Sequence, residues 1–336
     1  MKVAIGISGG VDSAVSALLL KQQGYDVLGI TMKLFEDETV DKMLEDAKKV
    51  CEEVGIKHLI LDLSKEFKEI VINNFVESYK HGLTPNPCVL CNKHFKFGLL
   101  YEKAKELGYD HIATGHYVKI SDNKLCVCDN NKDQSYFLYG INKDILDKII
   151  FPLKDFKNKD EIREIAKQNN LSIFEKKDSQ EICFIKDNDY VKFLENYLES
   201  KEGNIIDLEG NILGKHNGLY KYTIGQRKGL GISSSEPLYV TDIDYINNNI
   251  VVCKHNDLFK SNLIANNVNL LVDELHNECF AKIRSRGVLA PCKVDYIDNK
   301  LYVTFNEKQR AITKGQSVVL YKDNVCLGGG IIEKVF

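Results

Sequence analysis

The sequence predicts a doubly wound parallel α/β sheet, followed by a small β-rich domain and a C-terminal β-barrel. Three observations predict it. Residues 1 to about 115 alternate short apolar runs with segments of helical period. A glycine-rich turn joins the first apolar run to the first helix. Beyond Lys201 the pattern changes to short alternating strands punctuated by turn residues. The expected divisions are 1–200, 201–262 and 263–336.

Val3 to Ile7 is an apolar run of the kind buried in a parallel sheet, and Ala14 to Gln23 carries Val15, Leu18 and Leu19 at helical spacing until Gly24 stops it. Asp26 to Thr31 reads as the second strand. Val40, Met43, Leu44, Ala47, Val50, Cys51 and Val54 form a helix, and His58 to Leu63 the third strand. A helix over 66–79, a Pro/Cys-rich loop over 82–92, a helix over 95–107 and a strand over 111–114 follow. Helices are also expected at 160–169 and, from Tyr190, Phe193, Leu194, Tyr197 and Leu198, at 190–198. Turn signals recur at Asp207–Gly210, Asn247–Asn249, Asp298–Lys300 and Lys322–Asn324, as short strands of a small β domain and a barrel require. Ligands of a doubly wound sheet sit beyond the carboxyl ends of its strands. Ser8, Thr31-Met32 and Thr114-Gly115-His116 fall at such ends, so three segments should converge on one crevice.

Composition narrows the class. Hydrophobic residues at 44% and charged residues at 28% suit a soluble protein, and no apolar run is long enough to cross a bilayer or serve as a secretory leader. Ten cysteines point to a reducing cytoplasm, where they act as core residues, ligands or nucleophiles. The net charge of −3 argues against a general polyanion binder, yet three stretches, 83–98, 211–232 and 280–294, contain no acid at all. Local basic surface of this kind suits phosphate contacts in each of the three parts.

Two stretches carry chemistry. In Gly6-Ile7-Ser8-Gly9-Gly10-Val11-Asp12-Ser13 a strand feeds a helix through glycines, aiming backbone N–H groups and the positive end of the helix dipole at one point. No lysine follows the glycines, which separates the turn from the usual nucleotide P-loop. It resembles instead the loop of the ATP pyrophosphatase superfamily, whose members split ATP between its α and β phosphates with Mg²⁺ supplying further positive charge. The second stretch, Thr84-Pro85-Asn86-Pro87-Cys88-Val89-Leu90-Cys91-Asn92, is expected to present Cys88 and Cys91 on a proline-stiffened loop. C-x-x-C spacing alone leaves a metal half-site, a redox pair and a cluster fragment open. Far along the chain, Cys183 follows Lys176 and Lys177, which would favour its thiolate. Cys51, Cys126, Cys128, Cys253, Cys279, Cys292 and Cys326 lie in apolar or alternating contexts and read as packing residues.

These motifs, with Thr114-Gly115-His116-Tyr117, Lys132-Asp133-Gln134-Ser135-Tyr136-Phe137-Leu138, Ser179-Gln180-Glu181-Ile182-Cys183-Phe184, Tyr222-Thr223-Ile224-Gly225-Gln226-Arg227-Lys228-Gly229-Leu230-Gly231 and Cys326-Leu327-Gly328-Gly329-Gly330, resemble the tRNA-specific 2-thiouridylase family in order from residue 3 to residue 333. The resemblance implies an adenine nucleotide α-hydrolase-like first domain. It also implies a tRNA-uridine 2-sulfurtransferase that adenylates the C2 oxygen of the wobble uridine in tRNAs for Glu, Gln and Lys, releasing AMP and pyrophosphate. Cys91 matches the family's catalytic cysteine and Cys183 its persulfide carrier, the two able to form a disulfide afterward. Gly6, Ile7, Ser8, Gly9, Gly10, Val11, Asp12, Ser13, Met32 and Gly115 match ATP contacts. Asn86, Pro87 and Cys88 match the segment that meets the target base. His116, Lys132, Asp133, Gln134, Arg284, Ser285 and Gln316 match positions that touch tRNA. ATP, Mg²⁺, tRNA and a sulfur-donor protein or sulfide are the implied ligands and partners.

The chain departs from the best-known form of the family at Cys88, where that form has an aspartate. Cys88, Cys91 and Cys183 could together hold a [4Fe–4S] cluster with one iron open, so persulfide and cluster chemistry both stay open. Arg284 and Arg286 are expected on one face of a strand, placed for phosphate contacts. Competing readings are another tRNA-modifying member of the superfamily, such as a lysidine or 4-thiouridine synthetase, and a non-catalytic RNA-binding redox sensor. The last would not need Asp12 together with Cys91.

Overall fold

In the computed structural model, which describes residues 1–129, 132–176 and 182–336, the first domain is built on five parallel strands. They are β1 (Lys2–Gly6), β2 (Asp26–Lys33), β3 (Lys57–Asp62), β4 (His111–Ala113) and β7 (Ile149–Ile150), in the order β3-β2-β1-β4-β7. The chain leaves β1 in one direction and returns to β4 in the other, so the carboxyl ends of β1 and β4 frame the switch point of the sheet. Val3, Ala4 and Ile5 of β1 are fully buried, as a central strand covered on both faces must be.

Helices α1 (Val11–Gln22) and α2 (Glu38–Val54) cover one face, joined by α5 (Lys159–Gln168). Two further helices are α3 over 64–80 and α4 over 87–106, the latter packing Phe97, Leu100 and Ala104 in the core of the other face with Ala4 and Ile112. Each contains a stretch of wider π-helical turns, Lys68–Ile72 and Asn92–Leu99. The expected loop over 82–92 is therefore shorter than the sequence suggested. Pro87 occupies the first helical turn, where its missing N–H is no loss, and Cys88 and Cys91 ride on the start of α4. The expected helix over 190–198 is helical only over Tyr190–Leu194 (α6).

The middle domain is a four-stranded sheet of β8 (Gly203–Ile206), β9 (Ile212–His216), β10 (Leu238–Asp244) and β11 (Asn249–Lys254), in the order β10-β11-β8-β9. The barrel is formed by β12 (Phe259–Leu270), β13 (Glu278–Lys282), β14 (Ala290–Ile297), β15 (Lys300–Arg310), β16 (Ser317–Lys322) and β17 (Val325–Val335). Pairing of β12 with both β15 and β17 closes it. Asp298-Asn299 and Asp323-Asn324, at two hairpin tips, have positive φ at both residues, the conformation that tight turns between twisted strands demand.

One connection has no sequence signature. The hairpin β5 (Lys119–Ser121) and β6 (Lys124–Cys126) leaves the first domain and adds to the barrel sheet, with Cys126 opposite Val325. Behind it, Leu125, Tyr136 and Tyr139 share one core with Leu271, Val319, Tyr321 and Cys326 of the barrel. The Tyr136 hydroxyl donates to the Ser317 carbonyl at 2.9 Å, and the Asn269 amide donates to the carbonyls of Tyr139 and Ile141 at 2.6 and 2.9 Å. First domain and barrel thus fold against a common apolar interior. Leu125→Ala should lower stability by about 2–5 kcal/mol, the usual cost of such a cavity. Urea denaturation should show sheet and barrel unfolding together; a barrel transition unaffected by the substitution would contradict the shared core.

Candidate active site

The turn after β1 is held open by its own side chains. The Ser8 N–H donates to the Ser13 hydroxyl at 3.2 Å, and that hydroxyl donates to the Gly10 carbonyl at 3.0 Å. Gly10 is the N-cap of α1 and offers no side-chain cap, so the first N–H groups of the helix are left for an anion. Gly9 has φ of +63°, and a Cβ there would stand 2.9 Å from the Met43 carbonyl oxygen. Glycine is thus required twice over, by conformation and by space.

Asp12 is the knot of the turn. One carboxylate oxygen accepts from the Tyr117 hydroxyl at 2.7 Å and the other from Lys159 Nζ at 2.9 Å. Gly115, beyond β4, lies so close to α1 that a Cβ would meet the Asp12 carbonyl carbon and the Ser13 nitrogen at 2.9 Å each. Lys176 reaches across from a distant segment, donating to the Gly9 carbonyl at 2.8 Å and pairing with Asp46. Tyr117 lies within a quoted motif, but nothing in the sequence singled out Lys159 or assigned Lys176 to the turn.

The thiols assemble beside this crevice. Cys91 is buried in an aromatic cluster with Phe67, Phe75, Phe95, Phe184 and Ile185, against which Met32 at the end of β2 also packs. Cys88 and Cys183 are exposed. The Cys183 thiol feels both Cys91 and Cys88 as neighbours, so the three sulfurs occupy one neighbourhood despite their distance in sequence. Ser179, Gln180 and Glu181, like Lys177, fall outside the described residues.

The expectation that Lys176 would hold Cys183 as thiolate is corrected; for Lys177 it falls outside the described residues. Lys176 is committed to Gly9 and Asp46. Although the residue keeps exposed surface, protein atoms crowd its sulfur: desolvation, reinforced by Cys91 and Cys88, pushes the Cys183 thiol up to about 12, and Lys96 on α4 opposes it only in part. Desolvation likewise raises Cys91 and Cys88, again against Lys96. All three rest as thiols, with Lys96 as their nearby cation. Sequence reading saw Lys96 only as part of a basic stretch, although Cys88, Asn92 and Lys96 recur at helical spacing.

Of the residues expected at tRNA, His116 is buried, its Nδ1 2.8 Å from the Thr114 hydroxyl, and desolvation holds its pKa well below the usual value. Gln134 accepts from the Tyr117 N–H at 2.9 Å, and Asp133 from the Ser135 hydroxyl at 2.6 Å, so both brace the loop under the hairpin. Lys132 is exposed and Ser285 half-buried. Arg284 and Arg286 lie in a turn after β13 ends at Lys282, not on its face. The Arg284 guanidinium donates to the Ala311 carbonyl at 2.7 Å. Gln316 donates to the Thr84 and Pro85 carbonyls, next to Asn86 and Pro87.

An anion-binding turn at the switch point of a parallel sheet, with thiols beside it and two β domains docked around it, defines a nucleotide-binding α/β protein with a sulfur-bearing crevice. Family models match along the chain: a tRNA methyl transferase HUP domain at residues 1–187, a PRC-barrel domain at 191–254 and an aminomethyltransferase β-barrel domain at 260–332. The chain is similar to the tRNA-specific 2-thiouridylase MnmA of Clostridioides difficile, at 47% identity over 99% of this chain and 98% of that protein. It is also similar to the tRNA-specific 2-thiouridylase MnmA 1 of Fusobacterium nucleatum, at 49% over 99% and 94%. A solved structure, the U34-tRNA thiolase NcsA of Methanococcus maripaludis with its [4Fe–4S] cluster, is 23% identical over 51% of this chain and 57% of that chain, with a TM-score of 0.34, too loose a likeness to bear on the chemistry. The chain belongs to the tRNA-specific 2-thiouridylase MnmA family.

Two outcomes follow from the geometry. Gly115→Ala should push the first turn of α1 and lower the rate of pyrophosphate release from ATP by roughly 100-fold, while far-UV circular dichroism stays unchanged. Alkylation of Cys183 in the free protein should rise about tenfold per pH unit between pH 7 and 9 without a plateau, since thiolate accumulates only toward a pKa above that window. A plateau by pH 8, followed by peptide mass spectrometry, would show a stabilised thiolate instead.

Proposed function

We propose that the chain catalyses ATP-dependent 2-thiolation of the wobble uridine (position 34) of tRNA, in the anticodon arms of tRNAs for Glu, Gln and Lys. Drawing a single-stranded loop base from its stack into the crevice is inexpensive compared with opening a duplex. The uracil C2 oxygen attacks the α-phosphorus of ATP and pyrophosphate leaves. The free N–H groups at the start of α1 and the hydroxyls of Ser8 and Ser13 stabilise the departing charge. Asp12, already tied to Tyr117 and Lys159, would hold Mg²⁺ at the same end of the nucleotide, where the ion would neutralise pyrophosphate.

The Cys183 thiolate takes the outer sulfur of a donor protein's persulfide as the donor's own thiol leaves, and the resulting Cys183 persulfide then attacks C2 and expels AMP. Attack of Cys91 on the Cys183 sulfur releases the thiolated base and leaves a Cys91–Cys183 disulfide. Cys183 must lose its proton when it takes the sulfur and Cys91 when it attacks the Cys183 sulfur, so thiols raised by desolvation call for a cation at both steps. Lys96 stands where the developing thiolates would need a cation. The observation that carries the proposal is that Cys183, distant in sequence, lies near enough to Cys91 and Cys88 to feel both, with Cys91 in the cluster against which Met32 packs.

Three thiols are the donor type a [4Fe–4S] cluster takes, but among the described residues no three His, Cys, Asp or Glu side chains are grouped to hold a metal ion. The residues as placed do not fit a cluster, and no step is derived through one. A substitution at the third thiol separates the two chemistries. Cys88→Asp should keep thiolation within about fivefold, whereas Cys91→Ala and Cys183→Ala should each reduce it by more than about 100-fold. Nucleoside analysis of tRNA thiolated by each variant makes the measurement. Full loss in Cys88→Asp, together with stoichiometric iron in anaerobically purified protein, would replace the persulfide relay. Unchanged 2-thiouridine in tRNA from cells lacking the chain, with another base altered, would end the assignment.

A further inference from the structure

The segment that leads into Cys88 and Cys91 is gripped by the other two domains. The Thr84 N–H donates to the Lys314 carbonyl at 3.0 Å. Gln316 Nε2 donates to the Thr84 carbonyl at 3.2 Å and to the Pro85 carbonyl at 3.3 Å, so the two hydrogens of one amide face two successive carbonyls. Between them Gly315, at φ +89°, comes so near that a Cβ would stand 2.9 Å from the Thr84 nitrogen and oxygen. On the other flank, a Cβ on Gly82 would meet Ile243 of β10 at 2.8 Å, and Lys314 Nζ pairs with Asp242 of the same strand at 2.7 Å.

The barrel turn that makes these contacts is itself braced. Arg284 donates to the Ala311 carbonyl at 2.7 Å and to the Thr313 hydroxyl at 3.3 Å, and the Gln316 carbonyl accepts from the Ile332 N–H at 2.8 Å. From Thr84 onward little slack remains. Pro85 and Pro87 are buried, each has a fixed φ, and Pro87 opens α4 with Cys88 next in line.

We propose that Gln316 is a positioning residue for the thiolation reaction. From the barrel, its amide fixes the Thr84-Pro85 carbonyls and so sets the start of α4, which carries Cys88 and Cys91, relative to the crevice. Both weak neutral hydrogen bonds act on backbone three to seven residues before the cysteines, and Pro85 and Pro87 stiffen the intervening chain. Gln316 therefore acts through the loop and not on the reacting atoms. The same turn holds Arg284, so the surface expected to meet tRNA and the support of the thiol segment form one rigid unit. This inference rests on the thiolation reading for its kinetic arm alone.

The test compares the full-length protein with Gln316→Ala and with the isosteric Gln316→Glu, whose carboxylate opposes both carbonyls. Three quantities are read: tRNA affinity by filter binding, the single-turnover thiolation rate at saturating tRNA and ATP, and the rate of Cys88 alkylation in the free protein. The expected result is a thiolation rate lowered about tenfold in Gln316→Ala and further in Gln316→Glu, tRNA affinity within about twofold, and Cys88 alkylation faster by about threefold or more. Weakened tRNA binding with an unchanged saturated rate and unchanged alkylation would overturn the proposal and leave Gln316 as an RNA contact only. Should the native protein fail to thiolate tRNA at all, the proposed function falls. The alkylation arm then still decides the positioning role, because unchanged Cys88 reactivity in both variants would refute it.

Discussion

The chemistry of this chain depends on where one phenylalanine side chain is buried. The Phe184 ring packs edge-on against Phe67 and Phe75, with centroids 5.8 and 5.4 Å away, and tilts against Phe193 at 5.3 Å. Aromatic burial of this kind fixes the backbone of its neighbours, and the immediate neighbour is Cys183. With Ile182 and Ile185, which join the same cluster, that burial brings a cysteine from far along the sequence back to α4. Ion pairs hold the two shoulders of the segment, Lys176 to Asp46 and Lys186 to Asp37, but Lys186 is exposed and contributes little by comparison.

Around that packing the protein divides its work among three structural ideas. The parallel sheet supplies an anion site at the end of β1, tightened by Asp12 and by the absence of a side chain at Gly115. Helix α4 supplies two sulfurs and a lysine from one start, set by Pro87. The barrel shares a core with the first domain through the hairpin β5–β6, and Gln316 ties it to the segment before α4. Desolvation raises the pKa of the Cys91 and Cys183 thiols, with Lys96 opposing it in both.

Much of this was legible in the sequence because it follows from local rules. Strand-glycine-helix at 3–14, the alternation to residue 115 and the turn residues of the β domains all announce themselves within a few positions. What escaped was non-local. The prolines around Cys88 read as a loop, since a proline at the first turn of a helix and one in a loop look alike until the following residues are seen to be buried at helical period. Lys176 was near Cys183 in sequence but is drawn off by Gly9 and Asp46, while Lys96, on another element, is the cation the thiols feel. Arg284 looked like a strand residue because the alternating pattern runs on past Lys282, where the strand ends. The addition of β5–β6 to the barrel leaves no pattern of its own, because any short hairpin would read the same.

The most direct measurement of the central claim is a disulfide map after one turnover. Protein loaded with persulfide sulfur is mixed with ATP and substoichiometric unmodified tRNA, quenched with acid, digested without reductant and analysed by mass spectrometry. One Cys91–Cys183 peptide is expected for each 2-thiouridine formed. Thiolated tRNA accompanied by no such peptide, or by a bridge that joins Cys88 or a core cysteine instead, would contradict it.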